Sequence, residues 1–252
     1  MARRRPTILE VRLPNTPDFV QLAQEWCGDA SMILLAFVWD GYDLLHEVLS
    51  QINWNQDYEE LERSITQRFV PMIRKRMTGD EPFSVEHGPY EFETRMPPPA
   101  QSPQYDIAFV LYDKPGIMWP LEAKVLRSVK AVAPYVKDIK NEFLKCRYAP
   151  FSSEGGMLGY LLSSEPNKAF RSIQAKLDCE LNHHPRFPTR YHKTSDHQRT
   201  VPEGKNYPRD FRCHHLILQI FGDIHEEQAL PDNTAQSIPG NPVNDCQSSP
   251  PP

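Results

Sequence analysis

The fold is decided by residues 105–126, which read YDIAFVLYDKPGIMWPLEAKVL. Residues 105–112 and 117–126 are predominantly apolar runs of strand length, so each predicts a β-strand. Between them, Asp113-Lys114-Pro115-Gly116 is a turn signal, because proline and glycine favour the dihedral angles of tight turns. The stretch therefore predicts a β-hairpin.

The two faces of this hairpin are predicted to differ in polarity. Successive side chains of a strand point to opposite faces, so a loop with an odd number of residues places Asp106 opposite Glu122. A three-residue loop, 113–115, has this geometry. One face then carries Asp106, Glu122 and Lys124, whereas the other is entirely apolar: Ile107, Phe109, Leu111, Ile117, Trp119, Leu121, Ala123 and Val125.

The charged positions predict a metal site. Two carboxylates and an ammonium at the end of an otherwise apolar sheet are costly unless a partner compensates them, and a divalent cation can do so. Carboxylate oxygens select Mg²⁺ or Mn²⁺, which can activate water for attack on a phosphate. Lys124 could then act on the water or stabilise the transition state. The alternative is a solvated strand face on which Glu122 and Lys124 form a weak surface ion pair.

Asp106, followed after fifteen intervening residues by Glu122-Ala123-Lys124, resembles the PD-(D/E)XK signature of restriction-endonuclease-like nucleases. The predicted order of helix, three strands, helix and strand is similar too. The resemblance implies an α/β restriction-endonuclease-like core, a mixed central sheet flanked by helices. It also implies that Asp106, Glu122 and the Ala123 carbonyl bind Mg²⁺ or Mn²⁺ and that Lys124 is catalytic. The sequence departs from the pattern at Gln104-Tyr105, where the family often has a proline.

In that family a glutamate from the helix before the sheet sometimes joins the site. The candidates here are Glu59, Glu60 and Glu62, and the sequence does not choose among them. They lie in a predicted helix that Asp57 caps and that Pro71 should kink or shorten.

The resemblance further implies a metal-dependent nuclease that hydrolyses phosphodiester bonds, with DNA favoured and defence of bacteria against foreign DNA as a setting. It allows for a homodimer or an activating protein partner. The alternative function is a non-catalytic nucleic-acid-binding or assembly subunit built on a nuclease fold.

Three regions are predicted along the chain. Residues 1–56 have helical periodicity and predict an N-terminal helical layer. Residues 57–225 form the nuclease-like core, in which the polar stretch 182–210 is interpreted as a long surface loop. Residues 226–252 are rich in proline and polar residues and predict a disordered tail.

A basic helix is predicted over residues 133–148. The net charge of −5 argues against indiscriminate coating of nucleic acid, but a local basic groove is compatible with it. The candidates for contacts with the nucleic-acid backbone are Lys137, Lys140, Lys145 and Arg147, although each alone is typical of a solvated face. Tyr135 and Tyr148 on this helix are expected to pack.

Cysteine and histidine positions leave a second metal hypothesis open. Cys179, His183, Cys213 and His215 could form a structural zinc site, with ordinary buried cysteines as the default. The pair Gly155-Gly156 is interpreted as a turn before a strand. An odd number of cysteines, and the lack of an apolar run suited to a signal peptide or a membrane span, predict a cytoplasmic protein without a membrane segment.

Overall fold

The computed structural model describes residues 17–94 and 102–220. Its helices are α1 (Pro17–Leu45), α2 (Tyr58–Arg76), α3 (Ala133–Asp138) and α4 (Pro166–Leu177). A 3₁₀ helix, His46–Gln51, follows α1, and a π-helical turn, Ile139–Phe143, continues α3. The predicted disordered tail, 226–252, and the first sixteen residues of the predicted helical layer lie outside the described residues.

The strands form one mixed sheet of seven strands in the order β1-β2-β3-β4-β7-β6-β5. β3, β4 and β7 are parallel neighbours, whereas every other pair is antiparallel. The bounds of the strands are β1 Phe83–His87, β2 Ile107–Leu111, β3 Met118–Leu126, β4 Glu154–Leu161, β5 Asn182–His183, β6 His192–Gln198 and β7 Asp210–Gln219.

Helices cover both faces of the sheet. Leu34 of α1 and Phe69 of α2 share a buried cluster with the odd-numbered hairpin residues, such as Trp119. On the opposite face, Phe143 and Phe170 pack against the even-numbered hairpin residues. The predicted α/β class, a mixed sheet flanked by helices, is confirmed, and the apolar character of the central strands follows from burial on both faces.

The helix α2 begins as its sequence predicts. The Asp57 side chain accepts a hydrogen bond from Glu60 N at 2.9 Å and so satisfies one of the free amides of the first turn. The helix does not end at Pro71 but continues to Arg76, because Met72 and Ile73 extend its buried face. The expectation that Pro71 shortens the helix is therefore wrong.

The polar stretch 182–210 is not a simple surface loop. It contributes β5 and β6, which extend the sheet beyond β7. The buried positions of β6 are His192 and Ser195, whose polar atoms are hydrogen-bonded. A strand with so few apolar residues gives no hydrophobic alternation, so its sequence alone predicts a loop.

Two further expectations differ from the structure. Gly155 and Gly156 lie inside β4 rather than in a turn, and a Cβ at Gly156 would clash with Leu121 of the neighbouring strand. The basic helix, predicted over residues 133–148, ends at Phe143, and the backbone then adopts a positive φ of 56° at Cys146. Within the two described ranges, no helix is long and apolar enough to span a membrane.

Candidate active site

The hairpin of β2 and β3 brings Asp106 and Glu122 to the same level. Ile107 pairs with Leu121, so the next position along the register places Asp106 opposite Glu122. The loop spans five residues, 112–116, closed by a hydrogen bond from Leu111 N to Ile117 O. The predicted parity is confirmed, although the loop is longer than the three residues expected.

The Lys124 ammonium lies among four carboxylates. Its Nζ is 2.8 Å from Glu122 Oε1 and 3.1 Å from Glu62 Oε1. It is also 3.2 Å from Asp138 Oδ2 and 3.9 Å from Asp106 Oδ2. The five side chains come from α2, the start of the hairpin, β3 and α3, so residues that are distant in sequence meet at the end of the hairpin.

The backbone of β3 fixes two of these carboxylates. Asp106 Oδ2 accepts a hydrogen bond from Ala123 N at 2.8 Å. Glu62 Oε2 accepts one from Val125 N at 3.1 Å. Lys124 Nζ in turn donates to the Ala123 carbonyl at 2.6 Å. A rigid strand therefore sets the positions of both carboxylates and of the ammonium.

Burial and the proximity of like charges raise the pKa values of the buried carboxyl groups in this site. Burial raises the pKa of Glu122 well above its usual range, and the neighbouring Asp106 raises it further. Burial likewise raises the pKa of Glu62 to about 7, despite the opposing effect of Lys124. Burial alone would lower the pKa of Lys124, but the carboxylates, Glu122 foremost, more than reverse this and keep it charged.

The donor set suits a hard divalent cation. It consists of carboxylate oxygens and the carbonyl of Ala123, the ligand types that Mg²⁺ and Mn²⁺ prefer. Among the described residues, Glu122 Oε2 is a buried oxygen without a hydrogen-bond partner. Such an atom normally has a partner, and a cation bound by Asp106 and Glu122 would supply one.

The structure distinguishes between the three glutamates that the sequence left open. Glu59 and Glu60 are exposed at the start of α2, whereas Glu62 contacts Lys124. Sequence reasoning missed Asp138, which was hidden in the basic helix. The signal that could have found it is its position between the buried Val136 and Ile139 on that helix.

Comparisons of the chain with protein-family models, with curated proteins and with solved structures find no match. The resemblance to PD-(D/E)XK nucleases therefore rests on the residues themselves.

The four predicted backbone-binding residues, Lys137, Lys140, Lys145 and Arg147, are all exposed on α3 and the turns that follow it. Lys140 Nζ donates to Lys176 O at 2.8 Å, and Arg147 Nε lies 3.2 Å from Glu142 Oε2. The expectation that Tyr135 and Tyr148 pack is confirmed, because both are buried.

The alternative zinc set that the sequence left open does not assemble, and Cys213 is a free, buried cysteine, as the default interpretation expected. His183 is exposed on β5, whereas His215 is buried and hydrogen-bonded to Tyr135 and Ser195. Within residues 17–94 and 102–220, one group of three or more metal-binding side chains has all its ligand atoms within 4.8 Å of one another: His184, His192 and His214.

Proposed function

We propose that this chain is a metal-dependent nuclease with a restriction-endonuclease-like core, and that it hydrolyses phosphodiester bonds, with DNA the favoured substrate. The observation that carries the proposal is the meeting of Asp106, Glu122 and Lys124 at the end of the hairpin. These are the residues on which the resemblance to PD-(D/E)XK nucleases rests, and sequence spacing alone did not require them to meet.

Each residue has a defined role in the proposal. Asp106 and Glu122, with the Ala123 carbonyl, would hold Mg²⁺ or Mn²⁺, which when bound polarises a phosphate oxygen and lowers the pKa of a water. Lys124 is ion-paired with carboxylates and so carries a positive charge, which suits it to stabilise the anionic transition state. Glu62 hydrogen-bonds to both Lys124 and Val125 and positions the ammonium.

The helix beside the site supplies a surface for the substrate. α3 and its continuation direct Asp138 towards Lys124 and present Lys137 and Lys140 to solvent. A polyanionic backbone that reached the site along this helix would meet positive charge before it met the carboxylates. This arrangement supports nucleic acid as the substrate class.

The test is cleavage of labelled single- and double-stranded DNA and RNA in Mg²⁺, Mn²⁺ or EDTA. We expect metal-dependent cutting that falls by at least ~100-fold in both Asp106→Asn and Lys124→Met, because the first removes a metal ligand and the second removes a positive charge that would stabilise the transition state. Asp113→Asn is the matched control, because it makes the same change in the exposed loop of the same hairpin.

Cutting that is lost with Asp106→Asn and kept with Asp113→Asn supports the proposal and identifies the substrate. An absence of cutting with every metal and substrate, while the folded wild type and Asp106→Asn bind nucleic acid equally, would overturn it. That result would favour a non-catalytic binding or assembly subunit.

A further inference from the structure

The edge of the sheet opposite the hairpin contains a cluster of three buried histidines. His184 follows β5, His192 begins β6 and His214 lies in β7. Their exposed fractions are 6%, 0% and 1%. We propose that His184, His192 and His214 bind a zinc ion that fastens the β5–β6 hairpin to β7. This site is separate from the acidic one and is independent of the proposed nuclease activity.

The spacing of the ring nitrogens fits a zinc ion. One ligand atom from each histidine lies within 4.8 Å of the other two. His192 Nε2 and His214 Nδ1 are 3.2 Å apart, close to the roughly 3.3 Å between two nitrogens of a tetrahedral ion with bonds of about 2.0–2.1 Å. Imidazole is a ligand that zinc accepts readily, whereas Mg²⁺ prefers oxygen. The two sites therefore select different metals.

A carboxylate is placed to orient one of the rings. His214 Nε2 lies 3.3 Å from Glu154 Oε2, on the side of the ring opposite Nδ1. Histidines that bind a metal through one nitrogen commonly donate a hydrogen bond from the other to a carboxylate, which fixes the ring and makes it a better ligand. Glu154 thus supports coordination through His214 Nδ1.

Hydrogen bonds alone explain only part of the cluster. In such a scheme Trp39 Nε1 donates to His192 Nδ1, His192 Nε2 donates to His214 Nδ1, and His214 donates to Glu154. Among the described contacts His184 has no hydrogen bond to either ring, and its Nδ1 accepts a long one, 3.3 Å, from Arg186 N. His184 also stacks on His192, with ring centroids 4.5 Å apart, and a shared ion would join all three rings in one site.

The ion would supply stability that β6 lacks. The sequence of β6 is HKTSDHQ, with no aliphatic or aromatic hydrocarbon side chain, and its buried residues are His192 and Ser195. A strand of this composition, which lies next to the two-residue edge strand β5, gains little from the hydrophobic effect. Because the site exists only in the folded state, the free energy of metal binding would add to that of folding, and zinc would hold the hairpin on β7.

The test measures metal content in the full-length, untagged protein after zinc loading and dialysis against chelator-treated buffer. We expect about one zinc ion per chain for the wild type and a more than ~10-fold loss of affinity in His184→Ala, which removes one ligand. His183→Ala is the matched control, since this neighbour is exposed. Glu122→Gln should also keep zinc, which separates this site from the acidic one.

A second readout does not depend on a variant that folds. Coordination through His192 Nε2 places the ring hydrogen on Nδ1, so the Trp39 N–H must give up its present acceptor. The indole resonance of Trp39 should therefore shift when Zn²⁺, but not Mg²⁺, is added to the metal-free wild type. A wild type that retains no zinc and shows no such shift, or a folded His184→Ala that retains zinc as tightly as the wild type, would overturn the proposal.

Discussion

Replacing Lys124 by methionine should destabilise the protein strongly unless a divalent cation is present. Methionine preserves most of the apolar stem but removes the charge that lies within 4 Å of four carboxylates. With the ammonium gone, Glu62, Asp106, Glu122 and Asp138 repel one another without compensation. A bound cation would compensate these negative charges, because it would bind the same carboxylate oxygens.

The expected magnitude follows from burial. Removing one partner of a buried ion pair costs about 3–5 kcal/mol. The side chain of Lys124 is 17% exposed and its partners are 9–27% exposed, so water relieves part of the repulsion and we take about 3 kcal/mol. For a chain of this size that is a fall in melting temperature of roughly 6–12 °C.

The assay is thermal unfolding of the wild type and Lys124→Met in EDTA and in Mg²⁺. Lys168→Met is the control, because Lys168 is half exposed and pairs with Glu165 on the surface, where such pairs contribute less than about 1 kcal/mol. Mg²⁺ should raise the melting temperature of Lys124→Met more than that of the wild type. If Lys124→Met matches the wild type in EDTA, or if Mg²⁺ stabilises both equally, the reasoning about a shared set of oxygens is refuted.

Three further predictions concern stability elsewhere. Arg199→Lys should lose about 3 kcal/mol in urea unfolding, because the buried guanidinium donates to four carbonyls that an ammonium cannot span; a loss below about 1 kcal/mol would contradict this. Burial raises the pKa of Glu91 to about 7, so the folded state binds this proton more tightly than the unfolded state. The stability that this group contributes is present below pH 4.5 and is lost as pH rises to about 7. Over that pH range the free energy of unfolding of Glu91→Gln should rise relative to that of the wild type by at most ~3 kcal/mol. A difference between the two proteins that does not change with pH would contradict the assignment. Gly156→Ala should cost about 1–3 kcal/mol through its clash with Leu121, whereas the helical Gly28→Ala, which meets open space, should stabilise by up to ~1 kcal/mol; equal effects of the two would exclude the clash.

The hairpin could be predicted from the sequence because its apolar face and its turn constrain each other. Once residues 105–112 and 117–126 are strands, an odd loop decides that Asp106 and Glu122 share a face, and a loop centred on Lys114 places them directly opposite each other. The glutamate that α2 contributes could be narrowed to Glu59, Glu60 and Glu62, but the sequence does not choose among them. The choice depends on the rotation of α2 about its own axis against the sheet, which is set by tertiary packing.

There is a physical reason why the polar edge of the sheet, β5 and β6, could not be predicted from the sequence. Strand signals in a sequence are signals of apolar burial, and β6 buries imidazoles and a hydroxyl instead. The polar stretch 182–210 also contains Arg199, a buried cation whose partners are backbone carbonyls of the segment 143–152. Backbone acceptors leave no trace in a sequence, so neither the strand nor its anchor could be recognised before the fold was known.

The position of Lys124 imposes a competition on the candidate active site. Its ammonium and a divalent cation both require Glu122, and Glu122 Oε1 already lies 2.8 Å from the ammonium. A cation that binds Asp106 and Glu122 must therefore weaken this ion pair. Lys124 would then be free to contact an anion bound at the cation, while Glu62, which accepts a hydrogen bond from Val125 N, would keep the ammonium close. In the proposed nuclease, the excess of carboxylates around one ammonium would couple the binding of a metal to the delivery of positive charge to a phosphate. Asp138, whose Oδ2 lies 3.2 Å from the ammonium, would remain an ion-pair partner of Lys124 once Glu122 held the metal, a role that binding a metal alone would not require.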